Sequence, residues 1–360
     1  MKIGILSMQK VKNFGSVLQA YSLRHIIYEI THENAVFLDI EHNHCIEVNM
    51  PVKDDADSND HPKLKKDPYN RVKWKLFRLL EKLTGNIICS FMKSELKAFP
   101  ENNSNQYDIV VVGSDEVFKS VNTLNLQLYG DIPQASRCIT YAASCGCAVI
   151  EGIPLHKREI VSSALSNFQA MSVRDVGTEN YVLSLYNGRI ERHLDPVLIG
   201  PLSKMKHRKV PFRNYLLVYA YGSRIRSESE ICAIKAFAKK HGLKTVAIGG
   251  AQFWCDYFIP ATPFRMLDYF YYADYIVTDT FHGTIFSVIN HKKVAIIVRK
   301  TNKNKLTDLA ETLQIKQRII EDFSQFESII SSEIDYVAID RFLEKERIST
   351  YEYLRRELYV

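Results

Sequence analysis

The chain has 360 residues, 46% of them hydrophobic and 24% charged, with a formal net charge of +6. That length accommodates roughly two domains of about 150 residues each, and the composition is that of an ordinary soluble globular protein. The mild basic excess suits an anionic substrate or an anionic membrane surface, but it falls short of a nucleic-acid footprint.

Residues 2–8 form an apolar run that predicts a buried strand, 9–15 a loop, and 16–30 a helix with Val17, Leu18, Tyr21, Leu23, Ile26 and Ile27 on its apolar stripe. Residues 36–40 return as a strand, completing a βαβ unit of the kind that builds parallel, doubly wound sheets. Residues 50–67 are polar and rich in Asp, Lys and Pro, the composition of a loose connection. Residues 69–82 read as a basic amphipathic helix with Val72, Leu76, Leu79, Leu80 and Leu83 on one side. Packing of this helix on its own domain, with a solvated basic face, is the favoured reading. Contact with a membrane surface or a partner, aided by Trp74 and Phe77, is the other.

Strands are predicted at 108–115, ending in Gly113-Ser114-Asp115, at 138–143, and at 170–174, which delivers Arg174. Helices are predicted at 160–167 and 177–185, and Asp195-Pro196 marks a domain junction. In the second half, strands are expected at 215–221, 244–249, 273–278 and 294–298. Helices are expected at 227–241, opened by a Ser227/Glu230 capping box, at 264–272, from about Gly283, and at 306–314. Residues 335–358 read as a terminal helix or a pair of helices. The alternation gives a second doubly wound domain.

Seven cysteines are scattered without a Cys-x-x-Cys pair, and Cys145 and Cys147 are the only close couple. They read as reduced, mostly buried thiols of a cytosolic protein, not as metal ligands. Residues 1–8 are too short for a signal segment, and no apolar run reaches the ~18–20 residues of a bilayer crossing.

Five loops follow buried strands and carry small residues with polar or charged groups: Asn13-Phe14-Gly15-Ser16, Gly113-Ser114-Asp115-Glu116, Ala143-Ser144-Cys145-Gly146, Ser172-Val173-Arg174-Asp175 and Thr280-Phe281-His282-Gly283. Open α/β sheets bind ligands outside the carboxyl ends of their strands, so the crevice between two such domains is the expected site. The helix starting near Gly283 turns unpaired N–H groups and the positive end of its dipole toward a phosphate or carboxylate. His282 beside it can touch the anion and carry a proton. Each residue also has a plainer role. Asp115 reads equally as a helix cap, and Arg174 as a salt-bridge partner of Asp175 or Asp195.

At these same loops the chain resembles the polysaccharide pyruvyl transferase family. The match runs from Asn13-Phe14-Gly15-Ser16-Val17-Leu18-Gln19-Ala20-Tyr21 through 108–118, 139–146, 172–175 and Leu194-Asp195-Pro196 to 278–287 and 305–318, with a variable gap at about 41–105. The resemblance implies an α/β, GT-B-like fold of two Rossmann-type doubly wound domains facing across a crevice. Residues 1–198 would form the acceptor side, with the variable insert, 199–334 the phosphoenolpyruvate side, and 335–360 a helical tail. It further implies transfer of pyruvate from phosphoenolpyruvate onto two hydroxyls of a sugar in a cell-surface polysaccharide or its precursor. The products are a cyclic ketal and phosphate, with no cofactor or metal beyond the donor substrate. A lipid-linked acceptor would place the protein in the cytoplasm at the inner face of the membrane.

That chemistry needs an acid for the donor methylene and a base for the sugar hydroxyl. His282 is the candidate acid or phosphate contact, Asp115 the base with Glu116 second, and Arg174 the bidentate grip on the carboxylate. Thr280, Gly283 and Thr284 would hold the phosphate. Asn13, Gly15 and Ser16 would line the sugar side, with Ser114 and Ser144 completing the binding set. The family more often has Gln at Glu116, Trp at Phe118, Asn at Lys119, Ser at Thr280 and Glu at Asp175. Glu116 and Lys119 therefore change charge near the crevice. A GT-B glycosyltransferase or sugar-nucleotide epimerase is the first rival, lowered by the absence of Gly-x-Gly-x-x-Gly. A non-catalytic glycan- or anion-binding protein is the second, disfavoured because Arg174, His282 and Asp115 all keep their charge.

Overall fold

The computed structural model describes residues 1–50, 68–99, 106–222 and 224–359. The loose connection expected at 50–67 lies outside them, apart from Met50, which is buried.

The first domain contains, in order, β1 (Ile3–Leu6), α1 (Phe14–Thr31), β2 (Val36–Phe37), β3 (Cys45–Glu47), α2 (Pro68–Ser94), β4 (Tyr107–Asp115), β5 (Thr123–Asn125), β6 (Ala135–Ala143), α3 (Leu155–Leu165), β7 (Phe168–Val173), α4 (Val176–Leu183) and β8 (Ile190–Arg192). The short α5 (Pro196–Ile199) leads into the second domain. There follow β9 (Tyr215–Ala220), α6 (Glu228–Lys240), β10 (Lys244–Gly249), β11 (Tyr257–Phe258), α7 (Pro263–Tyr272), β12 (Tyr275–Thr278), α8 (Phe281–Ile289), β13 (Lys293–Ile297), α9 (Lys303–Thr312), β14 (Ile319–Ile320), α10 (Phe326–Ser331) and the closing α11 (Tyr336–Tyr359).

Each domain is built on a six-stranded sheet, ordered β2-β1-β4-β6-β7-β8 and β11-β10-β9-β12-β13-β14. Every pairing within these two sheets is parallel. Helices cover both faces, so β9 is buried along its whole length, as parallel strands in such sheets are. Strand order reverses between β1 and β4 in the first sheet and between β9 and β12 in the second, and ligands enter doubly wound sheets at such switch points. The two Rossmann-type domains of the expected GT-B-like arrangement are present. The β3–β5 antiparallel pair is an addition that the sequence pattern did not reveal.

Local chemistry sets the helix starts. Asn13 caps α1 by accepting from Ser16 N at 2.7 Å, so the helix opens at Phe14, two residues before its predicted start. Thr280 caps α8 by accepting from Gly283 N at 2.9 Å, so that helix opens at Phe281 and His282 belongs to its first turn. The Ser227/Glu230 capping box is formed as expected.

Two elements cross between domains. The tail is one helix, α11, and it returns to the first domain: Tyr353 Oη donates to Thr140 O at 2.8 Å and Arg347 Nε to Ile199 O at 2.7 Å. Helix α2 packs differently from the favoured reading. Val72, Leu76, Leu79 and Leu83 are exposed, whereas Phe77 is buried against Phe253 and Phe258 of the second domain. Its carboxyl-terminal half sends Ile88, Phe91 and Met92 into a core shared with α1 and with β9 and α8 of the second domain. Burying an aromatic or long apolar side chain is worth about 1.5–3 kcal/mol, so the ridge bearing the aromatic anchors turned inward and the leucine ridge did not.

Candidate active site

A cavity of about 1060 Å³ lies between the domains, where the carboxyl ends of β1, β4, β9 and β12 converge. Eight of the expected residues line it: Asn13, Gly15, Ser16, Asp115, Glu116, Arg174, Thr280 and His282.

His282 projects from α8 onto the first domain. A Cβ on Gly15 would sit 2.2 Å from its Nδ1, so the ring occupies space that any side chain at position 15 would take. Its Nε2 lies 3.4 Å from Asp195 Oδ2, an ion-pair contact longer than an aligned hydrogen bond. Asp195 is fully enclosed; it caps α5 through Val197 N at 3.0 Å and accepts from Arg174 Nη1 at 3.0 Å. Burial alone would raise its carboxyl, but the His282 ring, the Arg174 guanidinium and the Val197 N–H together hold it below the usual range.

Arg174 is correspondingly committed. Besides Asp195 it stacks over the Phe281 ring at 4.2 Å from the centroid, while its Nε lacks a partner. The open fork expected for a substrate carboxylate is therefore occupied on one edge by Asp195 and on one face by Phe281. Of the two plainer roles weighed for Arg174, pairing with Asp195 is the one formed.

Asp115 ends β4 at φ +74°, a left-handed conformation that Asp tolerates better than most residues. Its Oδ2 accepts from Ser16 Oγ at 2.6 Å, joining the two strand-end loops of the first domain. Glu116 accepts from Lys119 at 2.9 Å and, across the interface, from Lys305. Burial would raise the Glu116 carboxyl, but the two ammonium groups outweigh it and hold it down at about 2. A carboxylate so far below neutrality is a poor proton acceptor, which favours Asp115 over Glu116 as the base. The two charge-changing departures from the family pattern, Glu116 and Lys119, face each other and compensate.

Behind the wall formed by the second domain, Asp279 follows β12 with no solvent exposure. Burial raises its carboxyl to about 6 despite Arg224 Nε at 3.2 Å and Arg299 Nε at 3.8 Å. Arg224 also donates to Thr301 Oγ1 at 2.6 Å, and with Lys305 it gives this wall its positive charge.

Four expected binding residues lie behind the cavity wall. Ser114 Oγ donates to Gln19 at 2.9 Å and Ser144 Oγ to Asp175 at 2.8 Å, both fully buried. The Gly283 N–H is taken by the Thr280 cap, and Thr284 Oγ1 donates back to Thr280 O at 3.2 Å. Because α8 starts two residues earlier than expected, these groups are internal to its first turn. Asp195, Asp279, Arg224, Arg299 and Lys305 were not among the expected site residues. Asp195 entered as half of a helix-breaking Asp-Pro pair, as part of the matched Leu194-Asp195-Pro196 and as a possible partner of Arg174, but not as a site residue, and Lys305 reaches Glu116 across 189 residues of chain. All seven cysteines are free, and burial pushes the Cys145 thiol up to about 12. Among the described residues no group of three or more His, Cys, Asp or Glu side chains could hold a metal ion, and no helix is long and apolar enough to cross a membrane.

Two Rossmann-type domains meeting at their switch points over a crevice that carries charged side chains from both define a protein of the GT-B-like class. Within it, this chain belongs to the polysaccharide pyruvyl transferase family, whose profile matches residues 13–301. No curated protein matches it in sequence. Among solved structures, the UDP-GlcNAc 2-epimerase of Methanocaldococcus jannaschii aligns with a TM-score of 0.49 at 12% identity, covering 100% of both chains. Arabidopsis thaliana UGT89C1 complexed with UDP-L-rhamnose aligns at 0.48 and 11%, covering 100% of this chain and 99% of that one. A mutant O-GlcNAc transferase of Thermobaculum terrenum aligns at 0.42 and 12%, covering 99% of this chain and 66% of its own. These values are too low to carry function from those proteins to this one.

Proposed function

We propose that the protein transfers pyruvate from phosphoenolpyruvate onto two hydroxyls of one sugar of a polysaccharide or its precursor, forming a cyclic ketal. The observation that carries this reading is that two proton-handling groups from different domains line one cavity: His282, beside Asp195, and Asp115, bonded to Ser16. An enol phosphate needs a proton on its methylene carbon while a hydroxyl loses one, and both transfers must occur within hydrogen-bond reach.

In this reading the donor, with its carboxylate and phosphate, is held by Arg224 and Lys305, with the dipole of α8 favouring an anion beside its first turn. His282 gives its proton to the methylene carbon, leaving an oxocarbenium-like centre. One sugar hydroxyl adds to that centre as Asp115 takes its proton. Phosphate then departs and leaves a second oxocarbenium-like centre, the second hydroxyl adds as the phosphate beside it takes the proton, and exchange with solvent returns a proton to His282 and removes the one on Asp115. Asp195 faces the His282 ring at 3.4 Å, and Arg174 holds Asp195 in place.

A thermal-shift titration with phosphoenolpyruvate, pyruvate, phosphate and a panel of sugar nucleotides tests the donor. A ligand at about 100 times its Kd adds roughly 2.7 kcal/mol, and stabilisation selective for phosphoenolpyruvate, lost in Arg224→Gln, is expected. Stabilisation by a nucleotide alone would make the protein a nucleotide-sugar enzyme.

A further inference from the structure

Helix α2 carries two parallel ridges on the side turned away from the protein. Val72, Leu76, Leu79 and Leu83 are 67%, 50%, 64% and 44% exposed. Arg71, Lys75, Arg78 and Lys82, each one position earlier, are exposed as well. A one-residue offset is a rotation of about 100°, so a row of cations runs directly beside a row of apolar side chains over three turns. The single acidic residue of the helix, Glu81, accepts from Ala251 N at 3.0 Å and from Arg78 at 3.1 Å, which leaves Arg71, Lys75 and Lys82 as the cations of the row without a carboxylate of their own helix. The inward face is anchored by Phe77, Ile88, Phe91 and Met92.

We infer that this double ridge docks on an anionic lipid bilayer. Apolar side chains entering the acyl boundary with cations beside them among the headgroups is the arrangement of a helix lying in a membrane interface. The one-sided cationic row complements a surface of negative headgroups and gives a neutral partner no advantage. Glu81, Thr84 and Ile88, on the opposite side of the same helix, line the cavity. A bilayer meeting the ridges therefore lies about one helix diameter, 10–12 Å, from the crevice wall. The acceptor class that fits is a saccharide carried on a lipid, entering from the headgroup layer. The docking stands on the helix alone, whereas the choice of acceptor rests on the pyruvyl-transfer reading.

Flotation of the full chain with vesicles, without donor or acceptor, separates the two. The chain should partition to vesicles containing about 30% phosphatidylglycerol and leave phosphatidylcholine vesicles nearly empty. Arg71→Gln, Lys75→Gln and Lys82→Gln combined should weaken partition by roughly 10²-fold, at about fivefold per cation. Leu76→Glu with Leu79→Glu should abolish it, both sets keeping the wild-type melting curve because the side chains are exposed. Equal binding to both vesicle types, or binding unchanged in the variants, overturns the docking. So does a dimer in sedimentation that the Leu76→Glu and Leu79→Glu variant dissolves while the wild type ignores vesicles, since the ridge would then serve a second copy.

Discussion

Gly15 of α1 and His282 of α8 meet across the domain interface so closely that a Cβ on the glycine would lie 2.2 Å from the imidazole Nδ1. The glycine is not in a left-handed turn; it is in a helix, where alanine is the better former. Its role is the space that it leaves for a ring from the other domain.

Gly15→Ala should therefore displace His282, lowering kcat by about 10²-fold or more and stability by about 1–3 kcal/mol through overpacking. Gly85 is the control: it too is helical, and a Cβ there meets nothing within 4 Å. Gly85→Ala should stabilise by roughly 0.5–1 kcal/mol with activity unchanged. Urea melts and turnover of both variants check the contrast; equal effects at the two sites would remove the Gly15–His282 contact from the mechanism.

Asp195→Asn keeps the shape of the side chain but leaves Arg174 buried without a counter-charge. Removing one partner of such a pair costs about 3–5 kcal/mol, and a loss in that range is expected in chemical denaturation. Because Asp195 acts through His282, kcat should fall while KM for the donor stays near the wild-type value. A rise in KM with kcat intact would place Asp195 in donor binding instead.

The acid limb of stability should report Glu116. Its carboxyl lies at about 2 in the folded protein against 4.5 for an unperturbed Glu. The folded state therefore binds fewer protons than the unfolded one between those values. The stabilisation is fully present above about pH 4.5 and is lost as pH falls toward 2. Glu116→Gln should remove about 1–3 kcal/mol at neutral pH and show a shallower decline on acidification. Adding Lys119→Asn should recover part of the loss, because the two side chains pair at 2.9 Å. Parallel pH–stability curves for the wild type and Glu116→Gln would show that the lysines do not hold the carboxylate down.

Ser16→Ala deletes the 2.6 Å hydrogen bond to Asp115. A hydrogen bond to a charged group contributes about 1.5–3 kcal/mol. If Asp115 is the base, losing its orientation should cut kcat by roughly tenfold to a hundredfold and leave phosphoenolpyruvate affinity unchanged in the thermal shift. A selective loss of donor binding would move Ser16 and Asp115 to the donor side.

Much of the scaffold could be read from local pattern. Apolar runs located β1, β4, β6, β9 and β12, and several polar groups after them, Asn13, Asp115, Glu116 and Thr280 among them, line the cavity, whereas Ser114 and Ser144 do not. Cap chemistry was less well read. Asn13 and Thr280 moved two helix starts by two residues each, which placed Gly283 and Thr284 inside a turn. The orientation of α2 was read from leucine periodicity, although Phe77 and Phe91 lie on a competing ridge.

The sequence alone determined whatever depends on neighbours a few residues apart: strand and helix alternation, the capping box at Ser227 and Glu230, and the family to which the loops belong. Tertiary structure decided which charges meet. Ser16 and Asp115 are 99 residues apart, and Glu116 and Lys305 are 189 apart. Arg174 could pair with either of two aspartates until β7 and α5 set its distance to each. Periodicity shows that a helix has faces, but the face that turns inward depends on which neighbour offers the better-fitting cavity. A helix pattern carries no record of a neighbour that lies far away in the chain.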